Sequence, residues 1–349
     1  MRTRSWLAVT PVVVAVLVAG CADGVAPVAG GQVITAANAA RLQRIVSLPV
    51  PDSVIGFLAF SPDNRTLIAK GRTGEVLAWE TGTWSRSTLQ PAFMTQAEAY
   101  AAQVPFYPTM ALSPDGRNMA TVTSATGDVS VRQVRGSQLS TFSYGSPVYS
   151  VAISPDGALV AVGGLNGNVV VREAATGRQV ADLTCDRQYV SALVFSPDGG
   201  TLVAAYERPG NLMKAWSTST WLETATFSQM TERVDYHDAV FTPDGRYLVV
   251  ARVGTAEPNV IEMLDMSTFQ VVRRISGQVS AFQLALSPDG TVLASGWADV
   301  RLWGTATGNL ARAIGVGGTE VFSVAFSPDG TLLAFSVFGG DVQVWSVPR

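Results

Sequence analysis

Few residues in this chain are equipped for chemistry. The one histidine, His237, lies in the run Asp235-Tyr236-His237-Asp238, and the two cysteines are Cys21 and Cys185. A structural zinc site takes four Cys or His ligands, which three such residues do not supply. An acid/base pair or a weak metal site could be drawn only from His237 with Asp235 and Asp238, and no second histidine or serine-nucleophile motif accompanies them. The pairs Gly163-Gly164 and Gly339-Gly340 end strand-like segments with no helix after them, so they read as turns and not as phosphate cradles. No catalytic residue, metal or cofactor is therefore expected.

Cys21 has a different context. Arg2 and Arg4 precede a mostly apolar run from Trp6 to Val18, the charged start and short apolar centre of a secretory signal. A membrane span needs about 20 apolar residues, more than this run has. The residues that follow, Val18-Ala19-Gly20-Cys21, resemble the bacterial lipobox, which implies removal of residues 1–20 and lipidation of Cys21. Ordinary secretory cleavage nearby is the alternative, and it would leave Cys21 free or remove it. Residues 21–40, with Gly24, Pro27, Gly30 and Gly31, lack the apolar area to fold alone and read as a flexible tether. Cys185, after Leu183 and Thr184, is then a lone structural thiol at a strand end.

Charge points away from polyanions. There are 24 basic and 27 acidic residues, a formal net charge of -3, and no run of like charge. A nucleic-acid binder needs a basic face to neutralise phosphates, so none is expected here. Charged residues make up 15% of the chain against the usual ~25%.

The elements that must position these residues are visible as a repeat. Seven short motifs recur: Ser61-Pro62-Asp63-Asn64, Ser113-Pro114-Asp115-Gly116, Ser154-Pro155-Asp156-Gly157, Ser196-Pro197-Asp198-Gly199, Thr242-Pro243-Asp244-Gly245, Ser287-Pro288-Asp289-Gly290 and Ser327-Pro328-Asp329-Gly330. Their spacings are 52, 41, 42, 46, 45 and 40 residues. Proline sets φ near -65°, aspartate accepts local backbone hydrogen bonds, and glycine, or Asn64 in the first copy, supplies a positive φ. Alternating apolar segments flank each turn, as in Val148 to Ile153, which predicts a β-hairpin. A third strand follows, such as Glu75 to Trp79 or Asp341 to Trp345, then a Thr-Gly turn such as Thr176-Gly177, then a fourth strand such as Arg178 to Leu183. Four strands in about 40 to 45 residues is the period of a propeller blade.

On these turns, and on Trp79, Trp216, Trp303 and Trp345 in the third strands, residues 41–349 resemble the WD40 repeat family. The resemblance implies an all-β, seven-bladed β-propeller. Departures are plain: no repeat has the family's Gly-His pair, and where the Asp of its Trp-Asp pair would stand are Glu80, Gln133, Glu173, Ser217, Asp265, Gly304 and Ser346. The family's Asp-His-Ser-Trp hydrogen-bond network is thus not expected to form. The chain stops just after the third strand of the seventh unit, while Arg41 to Leu48 has the pattern of a fourth strand without a blade. Placing that segment on blade seven closes the ring and hides both open edges.

In such a ring the Ser-Pro-Asp-Gly turns share one face and the remaining loops share the other. The loop face is expected to gather Arg72, Tyr144, Arg187, Tyr206, Arg208, Arg233, Tyr236, His237 and Trp297, types common at binding hot spots. His237 also falls near the position of the family's histidine, so a blade-stabilising hydrogen bond competes with a catalytic role. An insertion over about residues 90–108 adds Tyr100, Phe106 and Tyr107, with one or two helical turns over Thr95 to Ala102, and reads either as a partner-binding lid or as a self-packed decoration. The sum is a monomeric, lipid-anchored, extracytoplasmic propeller of a bacterial envelope. It would bind an envelope protein or exported ligand without catalysis. The alternatives are a propeller enzyme of lactonase or quinoprotein-like kind, or a component of an envelope assembly machine.

Overall fold

The computed structural model describes residues 31–50, 54–92, 110–123, 126–184, 189–207, 212–228, 234–254, 260–276, 283–339 and 341–349. The repeated turn forms as its chemistry requires. In all seven copies the Ser or Thr hydroxyl donates to the aspartate two residues on, as Ser61 Oγ does to Asp63 Oδ1 at 2.6 Å. The same aspartate oxygen accepts the next hairpin N–H, 3.0 Å from Arg65 N in the first copy. The fourth residue donates its N–H to the carbonyl of the first at 2.7 to 2.9 Å, with φ between +58° at Asn64 and +72° at Gly157 and Gly199. Side chain and backbone thus close one tight turn, and the apolar alternation on either side becomes a hairpin.

Each hairpin grows into a four-stranded antiparallel sheet, giving seven blades. Blade one is Ile55–Phe60, Thr66–Gly71, Val76–Glu80 and Arg86–Gln90. Blade two is Met110–Leu112, Asn118–Thr123, Asp128–Gln133 and Gln138–Ser143. Blade three is Val148–Ile153, Leu159–Gly164, Val169–Glu173 and Gln179–Leu183. Blade four is Tyr189–Phe195, Thr201–Glu207, Leu212–Ser217 and Glu223–Ser228. Blade five is Val234–Phe241, Tyr247–Gly254, Val260–Asp265 and Gln270–Ile275. Blade six is Gln283–Leu286, Val292–Gly296, Asp299–Gly304 and Leu310–Gly315. Blade seven takes three strands from the end of the chain, Val321–Phe326, Leu332–Val337 and Asp341–Pro348, and its fourth, Gln43–Pro49, from the beginning. Gln43 pairs with Ser346 and Pro49 with Asp341, which is the closure read from the sequence.

The segment expected as a tether departs from that reading over its second half. Gly31 and Gln32 pair with Pro348 and Val347, Ile34 N donates to Gly330 O at 2.8 Å, and a short 3-10 turn spans Ala39–Arg41. Ile34, Ala39 and Leu42 are buried among Val292, Val300, Leu302, Leu333 and Val347 of blades six and seven. Residues 31–42 are therefore a packed strap. Three well-spaced apolar residues, each entering the seam between two blades, outweigh the small and polar average around them.

Cores lie between blades. Ile153 and Val160 of blade three join Val122 and Val131 of blade two in one cluster, and Tyr236 and Phe241 of blade five join Val194 and Met213 of blade four in another. Hydrogen bonds cross the same seams. Ser323 Oγ accepts from Leu58 N, Ser150 Oγ from Leu193 N, and Asp238 Oδ2 from Leu284 N, at 2.9, 2.9 and 2.8 Å. The family's four-residue network is expected to be missing, yet among the described residues a link of that kind is made: Trp303 Nε1 donates to Ser295 Oγ at 3.0 Å in blade six.

The turns between third and fourth strands hold a further surprise. Gly177 and Gly308 sit at φ +72° there, and the equivalent positions of blades one, four and five carry Trp84, Trp221 and Phe269 at φ +56°, +58° and +55°. All five residues close the turn by donating N–H to the carbonyl four residues back. Left-handed φ is uncommon for bulky side chains and costs about 1–2 kcal/mol. Each ring offsets part of this by leaning against its blade core.

The loop face as candidate functional site

Because the strands alternate in direction, first-to-second and third-to-fourth turns share one face of the ring, the turn face. Second-to-third hairpins and blade-to-blade connections share the other, the loop face. The candidates assembled from the sequence divide sharply when placed on it. Cys21, Tyr100, Phe106, Tyr107, Arg187, Arg208 and Arg233 lie outside the described residues, as do Thr95 to Ala102. Arg72, Tyr206, Tyr236 and His237 are buried, which corrects their reading as loop-face contacts. Tyr206 and Tyr236 belong to strands that run further toward the loop face than their sequence pattern indicates, and both pack in inter-blade cores. Arg72 is held under the hairpin of blade one, its N–H on Val54 O at 2.9 Å.

His237 is buried by a β-bulge. Tyr236 pairs with Arg252 and Asp238 with Ala251, so His237 is the extra residue of the strand. The same irregularity falls at Gly56, Tyr149, Ser191 and Phe322 in four other first strands. A bulge re-aims one side chain and shifts the phase of those before it. At His237 it turns the imidazole inward, where desolvation pulls its pKa down to about 3 and holds it neutral. Next to it, Asp238 is fully buried, and its two oxygens accept N–H from Ala239 and Leu284, each at 2.8 Å. Desolvation raises its pKa well above the ordinary carboxyl value, and the two hydrogen bonds oppose this. Asp238 is thus committed to the seam between blades five and six, and His237 beside it is buried in the ring. Among the described residues, no group of three or more His, Cys, Asp or Glu is placed to hold a metal ion.

Two buried charge clusters escaped the sequence reading. In blade five, Glu262 accepts from Arg274 Nε at 2.9 Å and lies 3.5 Å from Arg252 Nη1. Register makes this legible in principle: Glu262 pairs with Val250 and with Arg274, and Arg252 stands two residues along from Val250 on the same side of the sheet. In blade one, Lys70, Arg72 and Glu75 are buried together, and Lys70 Nζ donates to Val122 O of blade two at 2.8 Å. Burial lowers the Lys70 pKa to about 7, and Glu75 opposes that shift. Lysine in an alternating apolar strand carried no signal beyond its scarcity in this chain.

Among the described residues, the loop face leaves several large apolar and aromatic side chains accessible beside polar ones such as Asn166 and Glu320. Trp297 is half-buried at the hairpin of blade six, where its carbonyl accepts Val321 N at 2.6 Å. Phe338, at the hairpin of blade seven, is 44% exposed and its ring lies 6.1 Å from that of Phe322. Leu165, at the hairpin of blade three, is 51% exposed. Beside it, half-buried Tyr144 donates to Asn168 O at 2.6 Å and contacts Asn166. Each of these side chains is braced by a hairpin, so it is presented in a fixed place. Phe338 and Leu165 are exposed apolar side chains that the sequence reading missed, because no polar or aromatic cluster marks them.

Fold and site together define a seven-bladed β-propeller whose loop face offers surfaces for contact. The WD domain, G-beta repeat family matches residues 136–172 and 314–346, that is, the fourth strand of blade two with the first three strands of blade three, and the end of blade six with most of the last three strands of the chain. The small ribosomal subunit protein RACK1 of Schizosaccharomyces pombe is 32% identical over 127 residues, 33% of this chain and 37% of that protein. An uncharacterized WD repeat-containing protein of Synechocystis sp. is 30% identical over 156 residues, 41% of this chain and 40% of its own length. The chain spans about two fifths of the curated relatives it matches. These likenesses support a WD40-type propeller, a fold generally used as a scaffold for protein interaction.

Proposed function

We propose that this protein is a lipid-anchored, extracytoplasmic propeller of a bacterial envelope that binds a protein or exported ligand on its loop face without catalysis. One observation carries the binding reading. The only histidine is buried and its neighbouring carboxylate is bonded across an inter-blade seam, whereas Trp297, Phe338, Leu165 and Tyr144 stand at the loop surface and are suited to contact. The address rests on Arg2, Arg4, the apolar run and Val18-Ala19-Gly20-Cys21. Lipid chains would hold the protein at a membrane, each buried CH₂ contributing about 0.8 kcal/mol.

Photo-crosslinkers at Trp297, Leu165 and Phe338 in intact cells test the binding face. A discrete adduct from these sites, absent when the probe replaces turn-face Arg117, is the expected result. Failure of all three to give a discrete adduct would overturn it. A stoichiometric metal ion in the purified protein would favour the enzyme reading.

A further inference from the structure

We infer that the propeller lies with its turn face toward the lipid bilayer, so that the loop face points away from the membrane. This rests on the lipid-anchor reading of Cys21 and adds an orientation to it. The first observation is where the described chain begins. Gly31 pairs with Pro348 at the turn-face end of blade seven, and Ile34 N is bonded to Gly330 O in the turn itself. Arg41 reaches Pro348 O at 3.0 Å, and Arg312 of blade six holds the carbonyls of Ala39 and Ala40. The strap therefore crosses the turn face and enters the ring there.

Cys21 lies ten residues before Gly31. A chain of ten residues reaches at most about 36 Å. An anchor at Cys21 consequently pulls on the turn-face rim of blades six and seven. Six-residue strands, with a rise of about 3.4 Å per residue, separate the two faces by about 20 Å before loops are added. Laying the turn face on the bilayer asks for none of that separation to be crossed, whereas laying the loop face on it uses more than half of the ten-residue reach.

The second observation is independent of the anchor. Trp84, Trp221 and Phe269 occupy left-handed turn positions that Gly177 and Gly308 fill elsewhere, and all of these turns are on the turn face. Leu222, at 69%, is the most exposed large hydrophobic residue described, and it follows Trp221 directly. Leu310 and Val33 are also exposed near this face. These rings are half-buried against the inter-blade cores, so each leaves only an edge to solvent at the rim. Indole rings with an apolar body and an N–H suit the bilayer–water boundary. The partner that fits this rim is a lipid surface.

The test uses the full-length lipidated protein with Cys185→Ser, carrying a fluorophore at Arg117→Cys on the turn face or at Leu165→Cys on the loop face. Each is bound to phosphatidylcholine vesicles containing an acceptor-labelled headgroup. Energy transfer from the turn-face label should exceed that from the loop-face label by the equivalent of at least ~20 Å. Equal or reversed transfer in protein that floats with the vesicles overturns the orientation and leaves the anchor standing. Undiminished flotation of Cys21→Ala overturns the anchor itself.

Discussion

If residues 31–42 are a strap and not a tether, removing methyl and methylene groups from it must unfold the ring more easily. Ile34 is 0% exposed and Leu42 2% exposed, both against Val292, Val300, Leu302, Leu333 and Val347. Truncating a buried aliphatic side chain to alanine costs about 2–5 kcal/mol, the transfer term plus that of the cavity left behind. The backbone bond from Ile34 N to Gly330 O survives in Ile34→Ala, so the loss should be that of packing alone. Substitution in a solvated tether would change stability by no more than about 0.5 kcal/mol. Ile45 is the internal control, because it lies in the closing strand but is 49% exposed. Urea unfolding of Ile34→Ala, Leu42→Ala and Ile45→Ala should give midpoints well below the parent for the first two, near the parent for the third, and one shared slope. Parent-like midpoints for both Ile34→Ala and Leu42→Ala would refute the strap.

Three further outcomes follow from single residues. Asp238→Ala strands two buried N–H groups, at about 1–3 kcal/mol each, whereas Asp238→Ser should recover part of that loss by reproducing the bonds of Ser150 and Ser323. Since the folded-state pKa of Asp238 is raised, its contribution is fullest below the unfolded carboxyl pKa and is lost as pH rises through the folded value, so the Ser variant should gain on the parent with rising pH in urea melts. His237 gives the only imidazole signal in a proton NMR spectrum, and with its pKa pulled down to about 3 that signal should stay flat between about pH 8 and 5, while stability conferred by the neutral ring declines as pH falls from about 6.5 toward 3. Asn64→Ala should lower stability by about 1–2 kcal/mol, because alanine resists φ +58°, and Asn64→Gly should be milder, losing mainly the bond from Asp329 N to Asn64 Oδ1, as melting curves would show.

The turns and the ring closure were legible because both are local statements. Four adjacent residues specify a turn, and an unpaired fourth strand at one end of the chain matches a missing one at the other. The strap was not, because composition averaged over Ala22 to Ala40 hides Ile34 and Ala39, which dock singly and make no periodic pattern. The site was legible only in part for a related reason. A two-residue alternation assigns faces correctly until a bulge inserts one residue, and the bulges at Tyr149, Ser191, His237 and Phe322 lie just where the first strands approach the loop face. Tyr236, just before the bulge at His237, is core for that reason, and Tyr206 is core because its strand continues to Glu207 opposite Tyr189.

The bulges also place hydrogen-bonding side chains where one blade meets the next. One residue after the bulge, the side chains of Ser150, Asp238 and Ser323 reach across a seam to a backbone N–H of the next blade. Each bond ties two blades, whereas a network of the Trp303 to Ser295 kind ties strands within one. Rigidity is thereby shifted from the single blade to the ring, where the exchanged strand Gln43–Pro49 and the strap at residues 31–42 act as well. A ring braced at its seams lets each hairpin on the loop face change without dismantling a blade, and that leaves Trp297, Phe338 and Leu165 open to be shaped by whatever they contact.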